Sequence, residues 1–152
     1  MKKIFLIPFL FIYLTNFSQV TLQQLGADID GEATYDLSGY SVSLSSDGTI
    51  VAILAYENDG NGSSSGHVRI YEYSNSSWTQ LGSDIDGEAS QDYSSSVSLS
   101  DDGTIVAIGA TYNDGNGANS GHVRIYEYSN SSWTQLGSDI DGEVAGDETG
   151  IS

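Results

Sequence analysis

One eight-residue phrase occurs three times in this chain, and the repetition limits the fold more than any other feature. Leu25-Gly26-Ala27-Asp28-Ile29-Asp30-Gly31-Glu32 returns as Leu81-Gly82-Ser83-Asp84-Ile85-Asp86-Gly87-Glu88. It returns again as Leu136-Gly137-Ser138-Asp139-Ile140-Asp141-Gly142-Glu143, at spacings of 56 and 55 residues. A fixed interval of this length marks tandem supersecondary units, each of which buries its apolar face against a neighbour.

The N-terminus stands apart from the repeats. Lys2 and Lys3 precede an apolar run from Ile4 to Leu14, then the polar stretch Thr15-Asn16-Phe17-Ser18. This is the pattern of a secretory signal peptide over residues 1–18. The run is too short to cross a hydrocarbon core, which takes about 20 residues, so no membrane insertion is expected after cleavage. Removal of the segment leaves Arg69 and Arg124 as the only Lys or Arg residues against 21 carboxylates. A chain so acidic repels nucleic acid and anionic lipid surfaces, both of which need clustered cations. With no cysteine, stability must come from sheet packing, from neighbouring units or from a bound cation.

Each repeat spells four extended segments. Ser41-Val42-Ser43-Leu44-Ser45 alternates apolar and small residues, the period of a strand with one core face. Asp47-Gly48, and Asp102-Gly103 in the next copy, read as hairpin turns. Thr49 to Ala55 is apolar on both faces, which predicts burial on both sides. A Gly/Ser/Asn loop over 57–66 leads into His67-Val68-Arg69-Ile70-Tyr71-Glu72-Tyr73, and Ser77-Trp78-Thr79-Gln80-Leu81 closes the unit. No helical periodicity occurs after the signal segment. The reading is all-β: tandem four-stranded antiparallel blades of a β-propeller. The chain holds about two of them, and the propeller is incomplete.

The expected layout places an orphan outer strand and lead-in loop at 19–40, in which Leu22 occupies the register of Trp78 and Trp133. Blade 1 with its connecting loop follows at 41–95, blade 2 at 96–142, and a truncated third repeat at 143–152. Two blades cannot close a ring, so the chain reads as the N-terminal piece of a longer propeller, or as a unit that assembles with further blades or copies.

These segments resemble the FG-GAP repeat family, which includes the propellers of integrin α subunits. Gly39-Tyr40-Ser41-Val42-Ser43 is similar to that family's Phe-Gly region with its letters permuted. Gly109-Ala110-Thr111 is similar to Gly-Ala-Pro, and Ser-Gly-His-Val-Arg-Ile-Tyr at 65–71 and 120–126 to the family's third strand. The likeness covers residues 20–152. In the integrin group it implies a calcium cage between the first and second strands. The segments at that place, Ser45 to Thr49 and Ser100 to Thr104, hold only a turn and too few carboxylates, so calcium is not carried over to them.

Other residues recur in patterns that invite chemistry. Asp28, Asp30, Glu32 and Asp36 return as Asp84, Asp86, Glu88 and Asp92, and in the third copy as Asp139, Asp141, Glu143 and Asp147. Such a cluster on a glycine-bent loop could bind calcium, or form a solvated turn between blades. Asn58, Asp59 and Asn61, with Asn113, Asp114 and Asn116, lie in the longest loops and are expected to present polar side chains for ligand binding at one rim. Replacement of Asn58, Asp59, Asn113 and Asp114 by serine is expected to spare folding and reduce ligand binding. Gly62-Ser63-Ser64-Ser65-Gly66 matches a hydrolase motif but precedes a strand, and Asn119 replaces its serine in the next copy. His67 and His122 share one repeat position and read as structural. Trp78 and Trp133, with Tyr71, Tyr73, Tyr126 and Tyr128, read as packing between blades.

The functional expectation is a non-enzymatic, exported repeat module, secreted or at the cell surface, that engages an extracellular protein or glycan through its rim loops. A calcium-dependent structural or adhesive element is the alternative, and an extracellular hydrolase a minor one.

Overall fold

The computed structural model describes residues 21–151, so the signal segment at 1–18, Gln19, Val20 and Ser152 lie outside the described residues. Ten strands form two copies of one antiparallel sheet. In the first, β1 (Ser38–Leu44), β2 (Ile50–Ala55), β3 (His67–Ser74) and β4 (Ser77–Gln80) lie side by side in chain order. The two-residue β5 (Ile85–Asp86) returns to the edge of β3, beside the end that β4 leaves free. The second sheet repeats this with β6 (Ser94–Leu99), β7 (Ile105–Ala110), β8 (His122–Ser129), β9 (Ser132–Gln135) and β10 (Ile140–Asp141).

Local chemistry sets these elements. The β1–β2 hairpin turns at Gly48, whose φ of 72° suits a residue without Cβ. One oxygen of Asp47 accepts bonds from the Ser45 hydroxyl, the Thr49 hydroxyl and the Thr49 amide at 2.8 to 2.9 Å. Asp102 does the same for Ser100 and Thr104. These carboxylates are consumed by the turn itself. The bonds favour the charged form and hold both pKa values below 3.8.

The core lies between the sheets. Ala52, Leu54, Val68 and Ile70 on one face of the first sheet pack on Val97, Val106, Ile108 and Tyr126 of the second. The inner strands also touch edge to edge: the Ser41 and Ser43 hydroxyls accept bonds from the Val97 and Leu99 amides at 3.3 and 2.9 Å. Small serines on β1 therefore do two things: they allow close approach, and they satisfy the edge amides that β6 does not pair with β7. The contrast between copies is large. Val42 and Leu44 are 60% and 59% exposed, whereas their counterparts lie under the first sheet, Val97 9% exposed and Leu99 partly buried. Each second strand therefore packs on the neighbouring sheet through one face, β2 through Ala52 and Leu54 and β7 through Val106 and Ile108. The Val42 side of the first sheet and the Ile105 side of the second are open, so burial on both sides does not hold for either copy.

Residues 21–25 form no strand and Leu22 is 96% exposed; the outer strand expected at 19–40 would complete a blade beyond these two, whose own β3-type edges are taken by β4 with β5 and by β9 with β10. Two sequence expectations change here. The first strands begin at Ser38 and Ser94, ahead of 41 and 96, because a register shift near their N-terminal ends lets pairing resume with Ala55 and Ala110. The acidic phrase is not wholly a turn, since its Ile-Asp pair is β5 or β10.

Two predictions follow from this packing. Ile108→Ala should cost about 2–5 kcal/mol in urea denaturation, and Ile53→Ala at the equivalent open position far less. Equal losses would contradict the stacking. Asp47 and Asp102 contribute stability that is present above about pH 3.8 and lost as pH falls through their lower folded values. The double variant Asp47→Asn/Asp102→Asn should therefore show a flatter acid limb in its melting temperature.

Candidate functional site

The repeated phrase is a strap that belongs to one sheet and holds the next. Ile85 and Asp86 pair with Val68 and His67 of β3, and the Gly87 amide continues the pairing to the Gly66 carbonyl at 2.8 Å. Gly87 is buried where any Cβ would strike the Ser65 carbonyl. From this anchored strap, carbonyls reach the second sheet. Leu81 accepts a bond from Trp133 Nε1 at 2.8 Å, and Asp86 accepts one from the Arg124 guanidinium at 2.8 Å. Gly82, at φ 71°, gives the Trp133 ring room: an added Cβ would lie 2.9 Å from the indole. The first copy is equivalent, with Trp78 on Leu25 at 2.9 Å and Arg69 on Asp30 at 2.8 Å. The tryptophans thus join adjacent units, as their register suggested.

Under each strap lies a small charged cluster. Glu88 approaches Arg124 through Oε1 at 3.6 Å and His122 Nδ1 through Oε2 at 3.7 Å, while Asp139 Oδ2 lies 3.8 Å from the same Nδ1. Glu32, Asp84, His67 and Arg69 repeat this at 3.5 to 3.9 Å. His122 is 1% exposed, and neither ring nitrogen has a hydrogen-bond partner. Burial pushes its pKa below the ordinary 6.5 and the Arg124 charge adds to this, while Glu88, Asp139 and Asp92 pull the other way. Arg124 also lies over the Tyr126 ring, 5.6 Å from its centroid.

The acidic residues proposed from sequence do not form one cage. Glu32 meets Asp84, and Glu88 meets Asp139, across consecutive copies of the phrase. Asp28 and Asp84 accept bonds from Gln24 and Gln80. Asp30 and Asp86 serve the arginines through their backbone carbonyls. Asp36 and Asp92 are buried and receive the Ala33 and Ala89 amides and the side-chain amides of Asn58 and Asn113. The phrase is bent by its glycines and β-pairing, so neighbouring carboxylates diverge.

The loop residues also need correction. Asn58 and Asn113 are buried, not presented at a rim: each bonds an aspartate at 2.9 or 3.0 Å and accepts the Gly60 or Gly115 amide at 2.8 Å. Asp59 and Asp114 accept the Ser64 and Asn119 amides. Asn61 and Asn116 are exposed but tie their loops to the carbonyls of Gly87 and Glu88, or Gly142 and Glu143. Serine at Asn58 or Asn113 would leave the buried Asp36 or Asp92 carboxylate with only its bond from the Ala33 or Ala89 amide, so a loss of stability is expected there.

What this rim does present is aromatic. Tyr40 stacks on Tyr56 at 4.5 Å, Tyr56 on Tyr93 at 5.0 Å, and Tyr93 meets Tyr112 edge-on at 5.5 Å. The ladder crosses both sheets beside the long loops. Tyr40 and Tyr112 are 58% and 38% exposed. Desolvation raises the Tyr56 pKa above 10.0, with the neighbouring phenols adding to it. Sequence reasoning missed these residues because they occupy different register positions in the two copies. The available signal was a tyrosine one or two residues after each second strand, at Tyr56 and Tyr112.

Two stacked four-stranded sheets of one repeated topology, joined by a shared strap, define tandem β-propeller blades. The FG-GAP repeat family model matches residues 83–126, from within the strap, through β6 and β7, into β8; FG-GAP repeats form propeller blades. No curated protein matches the chain.

Asn113→Ala should lower stability by about 1–3 kcal/mol, because the buried Asp92 carboxylate loses a partner. Thermal melting at neutral pH checks this, and an unchanged midpoint would contradict the structural role.

Proposed function

We propose that the chain is an exported, non-enzymatic interaction module that engages an extracellular protein or glycan through the rim where the long loops and the tyrosine ladder lie. The observation that carries this reading is the ladder itself. Four tyrosines run across two blades with their outer members accessible, and tyrosine offers a broad amphipathic face with a hydroxyl at its edge. The surrounding surface is acidic, which favours neutral or cationic partners over nucleic acid. Lys2, Lys3 and the apolar run after them support export.

A non-enzymatic role accords with the geometry of the hydrolase-like loop. Ser64 has a φ of 52°, but Asn119 at the same repeat position has 53°, so this conformation belongs to the repeated turn rather than to a unique nucleophile. The neighbouring Ser65 is wholly buried, with its hydroxyl on the Asn58 carbonyl.

The double variant Tyr40→Ser/Tyr112→Ser should retain the native strand spectrum in circular dichroism. On a panel of immobilised polysaccharides and extracellular-matrix proteins, it should lose at least about tenfold in affinity for whichever surface holds the unaltered chain, as expected for truncated aromatic anchors. Undiminished binding would remove the ladder from the proposal.

A further inference from the structure

We propose that Glu88, His122 and Asp139 form a binding site for a zinc-class divalent cation, and that Glu32, His67 and Asp84 form its counterpart in the preceding blade. The three side chains of each group place donor atoms within 4.8 Å of one another. An acidic cluster alone would not warrant this, because exposed carboxylates commonly gather without an ion. The deciding observation is the imidazole. His122 is 1% exposed and both its nitrogens lack a partner, a costly arrangement for polar atoms out of water. Its Nδ1 faces Glu88 Oε2 at 3.7 Å and Asp139 Oδ2 at 3.8 Å, too far for hydrogen bonds. Ligands about 2.0–2.2 Å from a tetrahedral ion stand roughly 3.3–3.6 Å apart, so a few tenths of an ångström of closure would bring each carboxylate oxygen to ligand spacing from the imidazole.

The surroundings orient the same oxygens. Gln135 donates to Asp139 Oδ1 at 2.6 Å, which leaves Oδ2 directed at the imidazole. Arg124 approaches Glu88 Oε1 and leaves Oε2 on the ring side, where the Asn113 amide lies 3.4 Å away. Such partners fix ligand orientation in metal sites. Glu88 and Asp139 side chains are 41% and 28% exposed, so they can adjust, and water can supply a fourth ligand. Imidazole with two carboxylates suits zinc and its neighbours. Calcium, which takes six to eight oxygens, does not fit this donor set. The ion would cross-link three segments: the strap from one blade, and β8 and the β9–β10 turn of the next.

Equilibrium dialysis of the chelator-treated full chain against zinc, with excess calcium present to occupy non-specific acidic surface, should give two ions per chain, one for each cluster. Glu88→Gln and Asp139→Asn should each reduce this to one, with at least ~10-fold weaker binding at the altered site. Cobalt in place of zinc should give the visible absorption bands of a four- or five-coordinate ion, reduced by about half in either variant. Tryptophan fluorescence verifies folding, and the two conservative variants back each other should one fail it. Two tight ions retained in both variants, displacement of zinc by calcium, or six-coordinate cobalt spectra would each overturn the assignment.

Discussion

The second blade is held by a peptide segment that belongs to the first. The segment 81–88 is anchored on β3 by the pairing of Ile85 and Asp86, and its carbonyls then receive Trp133 and Arg124 from the second sheet. Most of the sequence constraints can be traced to this strap. Gly82 is small because Trp133 packs on it, and Gly87 is small because the Ser65 carbonyl leaves no space. The side chain of Glu88 then reaches the arginine and histidine beneath. Hydrophobic contact between sheets supplies the area, while these directional bonds fix how one blade sits on the other.

The strap also makes sense of the charge distribution. In residues 21–151, Arg69 and Arg124 are the only Lys or Arg side chains, and both are buried at 7% and 6% exposure. An isolated buried guanidinium would be costly. Here each is paired with a glutamate, bonded to a carbonyl and stacked on a tyrosine. Many of the acidic groups likewise have defined partners within turns and loops. The acidity therefore describes a surface studded with aspartates whose positions serve the backbone, beneath which a few carboxylates converge on histidine.

The strands, the hairpin turns and the stacking of repeats were legible because apolar alternation and Asp-Gly signals are local. The strap was legible as a repeat but not as β5, since a two-residue strand carries no periodicity of its own. The loop asparagines misled for a related reason: composition marks Asn58 and Asn113 as loop residues, yet only the fold shows that Asp36 and Asp92 arrive to bury them. Convergence of Glu88 with Asp139 depends on 50 residues of intervening chain folding back, and no spacing rule in the sequence encodes that approach. The tyrosine ladder was equally hidden, because Tyr40 and Tyr93 reach it from different registers.

If the strap couples the blades, they should open together. Hydrogen exchange read by mass spectrometry on peptides from β1–β3 and from β6–β8 tests this directly, with Arg124→Met as the perturbation that removes the bond to the Asp86 carbonyl. Our account predicts matching protection in the two peptide sets and a parallel loss in both when Arg124 is replaced. Different protection in the unaltered chain, or a loss confined to β6–β8, would contradict it.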